Sequence, residues 1–267
     1  MAYTKTLVAD AVVQRLIETQ GIYSYCNRAY DGLVKQGATS VDIPKLADVT
    51  VNTSGVSATD SSRAKTKTDT TMVNVALSKA VVPLASEILG EFESNGMLLK
   101  EYMNSAALAF QQYFDTMVLT EALTTTNEID SFSELTWQEI TTINKELDVL
   151  KVPKKGRIFG ISAEFSDDFY NIDVVKSAMA YNSIKLATGE FVDIMGYKFF
   201  ISGLVPTSSD ANQIVAWYGP GLAFILSRYM ELKTVWDTDN LIDVNDLLCH
   251  FGKKLLNVNF AVKGKEA

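Results

Sequence analysis

Catalysis needs a nucleophile, a proton carrier or a held cation, and this sequence supplies few residues for any of them. Its sole histidine, His250, sits between Cys249 and Phe251 in a stretch with strand character. A lone imidazole becomes a general base only where a reacting group is brought to it, and a structural histidine is the ordinary alternative. Cys26 and Cys249 lack a Cys-x-x-Cys partner, and with one histidine they leave no cluster for a metal site or a disulfide framework. The Gly-Pro-Gly at 219–221 is not followed by the Lys-Ser or Lys-Thr of a phosphate loop, and no Gly-x-Ser-x-Gly elbow occurs. The carboxylate pairs Asp167–Asp168 and Asp237–Asp239 can bind a divalent cation or share a proton, but Asp enriched in a turn or at a helix start gives the same pattern. No catalytic, cofactor-binding or metal-ligating residue is assigned, and the chain is not expected to be an enzyme.

Composition narrows the class. The chain has 267 residues and 47% hydrophobic content, enough for one large domain or two modest ones with a real core. No run of about 18 uncharged apolar residues occurs, so a membrane span is not expected. The start, MAYTKTLVAD, lacks the basic residues and apolar block of a secretory signal, and the two cysteines suit a reducing compartment. A net charge of −8 argues against a protein that grips nucleic acid, which needs concentrated basic surface. Arg63, Lys65 and Lys67 form a small basic patch, while 121–148 and 237–246 are acidic. Opposite patches suit self-association, although a solvated surface of both signs explains them too.

The elements that must carry any function are clearer than the chemistry. From Met97 to Leu123 the apolar residues Leu99, Tyr102, Met103, Ala106, Phe110, Tyr113, Met117 and Leu123 recur in steps of three and four, with Asp115 among the polar residues of the other side. The spacing predicts one helix about 40 Å long, a spine for the molecule. Residues 5–20 predict a short amphipathic helix closed by Gly21, and Tyr23, Tyr25 and Tyr30 follow in an extended arm that needs a surface to lie on. Between 39 and 80, Val41 and Ile43, Val49 and Val51, then Val73, Val75 and Leu77 alternate with polar residues around a small-residue tip at 52–62. This reads as a long projecting β-hairpin, only marginally stable without support, or as a surface loop between two strands.

The second half mixes helices and strands. Thr136 and Glu139 have capping-box spacing ahead of a helix with Trp137, Ile140, Ile143, Leu147 and Leu150 on its apolar face. Val152, Pro153 and Gly156 turn the chain into a buried strand at 157–162. Helical stretches are expected around 165–174 and 175–186. A strand at 191–194 turns at Met195-Gly196 into another at 197–202, and a further strand follows at 213–218. A short helix is expected at 221–227, then strands at 231–236 and within 247–262. Without a regular β-α-β-α repeat, the expected fold class is α+β.

Taken in order, these features resemble the major capsid protein of tailed bacteriophages, the Hong Kong 97 capsid fold. Two passages carry the resemblance most closely. One is the capped helix running through Val152 and Pro153 to Arg157 and Ser162; the other runs from Gly189 through Gly196, Tyr197 and Ser202 to Pro206, with a small-residue helix after it. The resemblance implies residues 1–38 as the amino-terminal arm, 39–80 as the extended loop, and 81–155 as the peripheral domain with the spine at 97–123. It further implies 156–245 as the axial domain and 246–267 as strands completing the body. Many copies would form pentamers and hexamers of an icosahedral head around double-stranded DNA, with arm and ribbon unsatisfied until sister copies cover them. The protein would reside in the virion after synthesis in the host bacterial cytoplasm. Scaffold, portal and decoration proteins are the implied partners; the short lead before the arm implies a separate scaffold or none. Some relatives join subunits through a loop lysine and a neighbour's asparagine, for which Lys65 and Lys67 lie in the right loop. An encapsulin-like compartment shell and a soluble enzyme are the alternatives.

Overall fold

Strands with alternating apolar residues and strands that are apolar throughout do different work in this chain, and together they build two sheets. The computed structural model describes residues 21–34, 38–46, 70–87, 97–180, 192–194, 196–207, 212–226, 231–237 and 242–266. In chain order the elements are β1 (Ser40–Leu46), β2 (Thr70–Glu87), the spine helix α1 (Met97–Ala122), β3 (Glu128–Phe132) and α2 (Trp137–Val149). After them come β4 (Arg157–Ser162), α3 (Ser166–Asn171), α4 (Asp173–Ala180), β5 (Val192–Ile194) and β6 (Tyr197–Ser202). The last are β7 (Gln213–Tyr218), β8 (Leu222–Leu226), β9 (Glu231–Asp237), β10 (Ile242–Leu255) and β11 (Ala261–Glu266).

The first sheet runs β1-β2-β10-β8, with β9 also on β10, and every pairing in it is antiparallel. The second runs β3-β11-β7-β4-β6-β5 and mixes both senses: β4 lies parallel to β6 and antiparallel to β7. Such intermixing is the expected α+β class. β4 is buried at every position and β7 at all but its last, because the second sheet is covered on both faces. Ile158, Val215 and Trp217 face a core shared with α1 and the first sheet, whereas Phe159, Ile161, Ile214 and Ala216 face a second core closed by α2, α3 and α4. Gly160 lets α1 come close: a Cβ there would meet Leu119 Cδ2 at 2.9 Å.

Several expectations need correction. The helix at 97–122 stands where expected, but its buried face is rotated. Ala106, Ala107, Phe110, Phe114, Val118, Leu119 and Ala122 are buried, together with Asp115, while Tyr102 and Tyr113 are exposed. The expected face followed the largest aromatic residues, and the i, i+4 row through Phe110, Phe114 and Val118 packs instead. Within the expected helix at 221–227, residues 222–226 form a strand. Leu-Ala-Phe-Ile-Leu is buried on both sides, Leu222 and Phe224 in the α1 core and Ala223 and Ile225 beneath the ribbon, and β10 supplies its hydrogen-bonding partner. β2 runs on past the expected end at 80, through Pro83, to Glu87. From Leu77 onward it has β10 on one side and no described strand on the other, so a residue without an N–H fits there.

The cores also cross the expected divisions. α2, expected with the peripheral part, packs into the second core, and β9 with the start of β10, expected in the axial part, belongs to the first sheet. The predicted helix at 5–20, the hairpin tip at 52–62, the Val49 and Val51 pair and the end of the 175–186 helix lie outside the described residues.

Candidate assembly surfaces

The ribbon expected to reach a neighbour is present at its root. Ser40–Leu46 pairs residue by residue with Thr70–Ala76, and Val41, Ile43 and Val75 bury themselves on Ala223 and Ile225 of the same chain. Asn74 Nδ2 donates to Asp42 Oδ1 across the exposed face at 2.6 Å. Arg63, Lys65 and Lys67, the basic patch of the loop, lie outside the described residues.

The arm root is not an unsatisfied tail. Ile22–Tyr25 makes one 3-10 turn whose Ile22 and Tyr23 are buried; the Tyr23 ring meets Phe114 at 5.8 Å and Phe224 at 5.6 Å. Asn27 brackets β8, donating its N–H to Leu222 O at 2.9 Å and accepting from Phe224 N–H at 3.1 Å. Asp31 accepts the Leu226 N–H at 3.0 Å and pairs with Arg28 at 2.7 Å. Ile22, Tyr23 and Cys26 are therefore covered within the chain, whereas Leu33 at the end of this segment is 55% exposed.

Among the surfaces the described chain leaves open is the outer face of β2, β9 and β10. Register places Val81 opposite Leu248, Pro83 opposite Asp246, and Val235 opposite Val244, all on the side away from core-facing Ala80, Leu247 and Cys249. Val235 is 60% exposed and Val81 48%; Trp236 is also exposed, but lies on the opposite face of β9. Lys233 and Lys79 interrupt the apolar residues, as charges do on sheets that must not pair indiscriminately. A strand at 231–236 was expected from the sequence, but which face was covered depended on β10.

The residues weighed for chemistry are dispersed. His250 lies in β10 opposite Lys79, and Cys249 is buried in the α1 core, where burial pushes its thiol up to about 12. Cys26 is buried in the arm root with its thiol raised by burial; both cysteines are free. Asp168 Oδ2 accepts the Leu135 N–H at 3.1 Å beside an open groove of about 480 Å³ lined by Trp137, Ile172 and Asp173, so it ties the start of α2 to α3. Asp237 ends β9, and Asp239 lies outside the described residues. Among the described residues no three His, Cys, Asp or Glu groups gather as a metal site would require, and no helix is long and apolar enough to cross a membrane.

Two polar sites hold the scaffold. Arg157, a residue of the motif, is fully buried: Nη2 meets Asp148 Oδ1 at 2.7 Å, Nε donates to Pro153 O at 3.0 Å, and further bonds reach Val152 O and Asn144. The guanidinium holds the Asp148 carboxyl below its usual range. Thr136 precedes α2 in extended conformation, and its hydroxyl bonds to the Glu139 carboxylate, the two residues of the expected capping box. Asp115 is the second site. Its carboxylate accepts the N–H of Tyr23 at 3.1 Å and that of Ile22, and burial pushes its pKa up to about 6. Sequence reading left it on the polar side of α1; its neighbours Phe114, Val118 and Leu119 were the available signal.

No protein-family model matches the chain, and no curated protein matches it. Solved structures do. A structure from Mycobacterium phage Che8 aligns over 92% of this chain and 91% of its own, with TM-score 0.71 and 17% identity. A virus-like particle from Pyrococcus furiosus aligns over 97% and 98%, with TM-score 0.64 and 8% identity. The capsid structure of cyanophage P-SCSP1u aligns over 93% and 88%, with TM-score 0.58 and 12% identity. Aligned with these structures over nearly its whole length, the chain has the α+β capsid fold of the Hong Kong 97 type.

Proposed function

We propose that many copies of this chain close into the icosahedral head of a tailed bacteriophage around double-stranded DNA, with no chemistry of their own. The observation that carries this reading is the capsid fold shared with solved phage structures over more than nine-tenths of the chain. In this reading the second sheet with α2, α3 and α4 forms the axial part, gathered in pentamers and hexamers. α1 and the first sheet form the peripheral part, the β1–β2 ribbon is the extended loop, and residues 1–38 are the arm. The ribbon would lie on a neighbour and cover apolar outer-face residues such as Val81 and Val235. A net charge of −8 would keep the inner wall from holding DNA tightly. The protein would be made in the host cytoplasm and reside in the virion, with scaffold, portal and decoration proteins as further partners. Lys65 or Lys67 is the candidate donor for any covalent link between copies.

An encapsulin-like compartment is the second reading, favoured by one observation: the virus-like particle from Pyrococcus furiosus aligns over almost the whole of both chains. Electron microscopy of purified protein tests the shell, and nuclease-protected double-stranded DNA inside particles separates virion from compartment. Deleting residues 52–67 is expected to leave a soluble, folded chain that forms no shells. Shells from the deleted chain would remove the role assigned to the ribbon.

A further inference from the structure

Asp115 stands where the spine helix meets the root of the leading segment. It is 3% exposed, and it caps the 3-10 turn at 22–25 by accepting the N–H groups of Ile22 and Tyr23. Gly21 passes so close that a Cβ there would meet the two carboxylate oxygens at 2.7 and 2.8 Å. The segment that follows is also held by Asn27 and Asp31 on β8, and the Lys198 Nζ lies 5.0 Å from the Tyr25 ring. A buried carboxylate at a docking joint is unusual because its ionised form is costly away from water.

We propose that Asp115 is a proton-operated latch: protonated, it lets residues 21–28 seat firmly on the spine helix, and ionised, it loosens them. The two N–H groups favour the ionised carboxylate, but burial outweighs them and raises the group from 3.8 to about 6. The sign follows from linkage. The docked state binds the proton more tightly than the undocked state, in which Asp115 regains water, so docking is strongest below about pH 4 and weakens as pH rises to about 6. A shift of this size changes the docking equilibrium by about a hundredfold over that window.

The surrounding groups do not supply the same titration. On the docked turn, burial pushes Tyr23 up to about 12 and raises Cys26, while Arg28 is a cation lying 5.8 Å from the Tyr23 ring. β10 brings Cys249, raised to about 12, and Lys253, whose pKa burial lowers against the pull of Glu121 of α1 and whose Nζ donates to Met117 O. His250 follows core-facing Cys249 and so lies on the opposite face of β10. β2, β7 and β8 contribute Ala80, Trp217, Leu222 and Phe224 to this core and no charge.

Cys26 sits inside the joint, so its reaction with a thiol reagent reports undocking, and Cys249 in the same core reports global opening. The full chain is labelled at about pH 5 and about pH 7.5, with an unstructured cysteine peptide in the same tube to correct for thiolate fraction, and each site is read by peptide mass spectrometry. The corrected Cys26 rate is expected to rise about tenfold at the higher pH while that of Cys249 does not, and in Asp115→Asn the Cys26 rate is expected to be flat. A pH-independent Cys26 rate, a rise shared with Cys249, or an equal rise in Asp115→Asn overturns the proposal. Should the variant not fold, amide hydrogen exchange at Ile22 and Tyr23 in the unmodified chain decides: protection must fall with rising pH beyond the intrinsic exchange rate, and unchanged protection overturns the latch. Neither measurement requires shells to form.

Discussion

The two sheets are built to different standards of self-sufficiency. In the second, β4 and β7 are buried on both faces and the aromatic rings of Phe159, Phe169 and Phe199 meet within the chain. In the first, one face closes on α1 while the other leaves Val81 and Val235 to solvent, and β9 and the end of β2 have no described strand beyond them. The contrast lies between central strands: β4 and β7 are covered on both faces, whereas the first sheet keeps apolar residues on one face for another surface.

Mutations can break that contrast in order of effect. Phe159→Ala, which removes a ring stacked on Phe199 at 4.9 Å, is expected to cost about 3–5 kcal/mol in urea unfolding, because the covered sheet cannot collapse around the void. Arg157→Met is expected to cost less, about 1–3 kcal/mol by the same measurement. It strips donors from the Val152 and Pro153 carbonyls, but Asp148 is partly exposed and can return to water. The outer face is expected to behave in the opposite way. Val235→Thr should change unfolding free energy by less than about 0.5 kcal/mol, yet lower particle yield in sedimentation. A large stability loss at Val235, or full particle yield, would erase the distinction between the sheets.

How much of this was legible follows from whether the information was local. The start of α2 at Thr136, the turn at Gly196, which takes φ +81, and the strands at 157–162 and 213–218 are written in neighbouring residues and stand where expected, although Thr136 bonds to the Glu139 side chain and makes no capping bond to the backbone. The strand at 222–226 was misread because Leu-Ala-Phe-Ile-Leu has no polar residue to reveal a period, and only β10 decides its pairing. The same holds for the spine. Its length was plain in its own periodicity, but Tyr113 lost the core to Phe114 because the arm root, β8 and β10 converge on one side of the helix. Asp115 was illegible for the related reason that its partners, Ile22 and Tyr23, lie more than ninety residues away.

β10 is paired with β2 over eleven consecutive residues, from Ile242 with Glu87 to Gly252 with Leu77. Hydrogen bonds between antiparallel strands run crosswise to the chains, so tension along the ribbon loads these rungs in shear and together rather than opening them one after another. A pull on the tip thus reaches the molecule's backbone almost undiminished, which makes the ribbon a tether that transmits load before it yields.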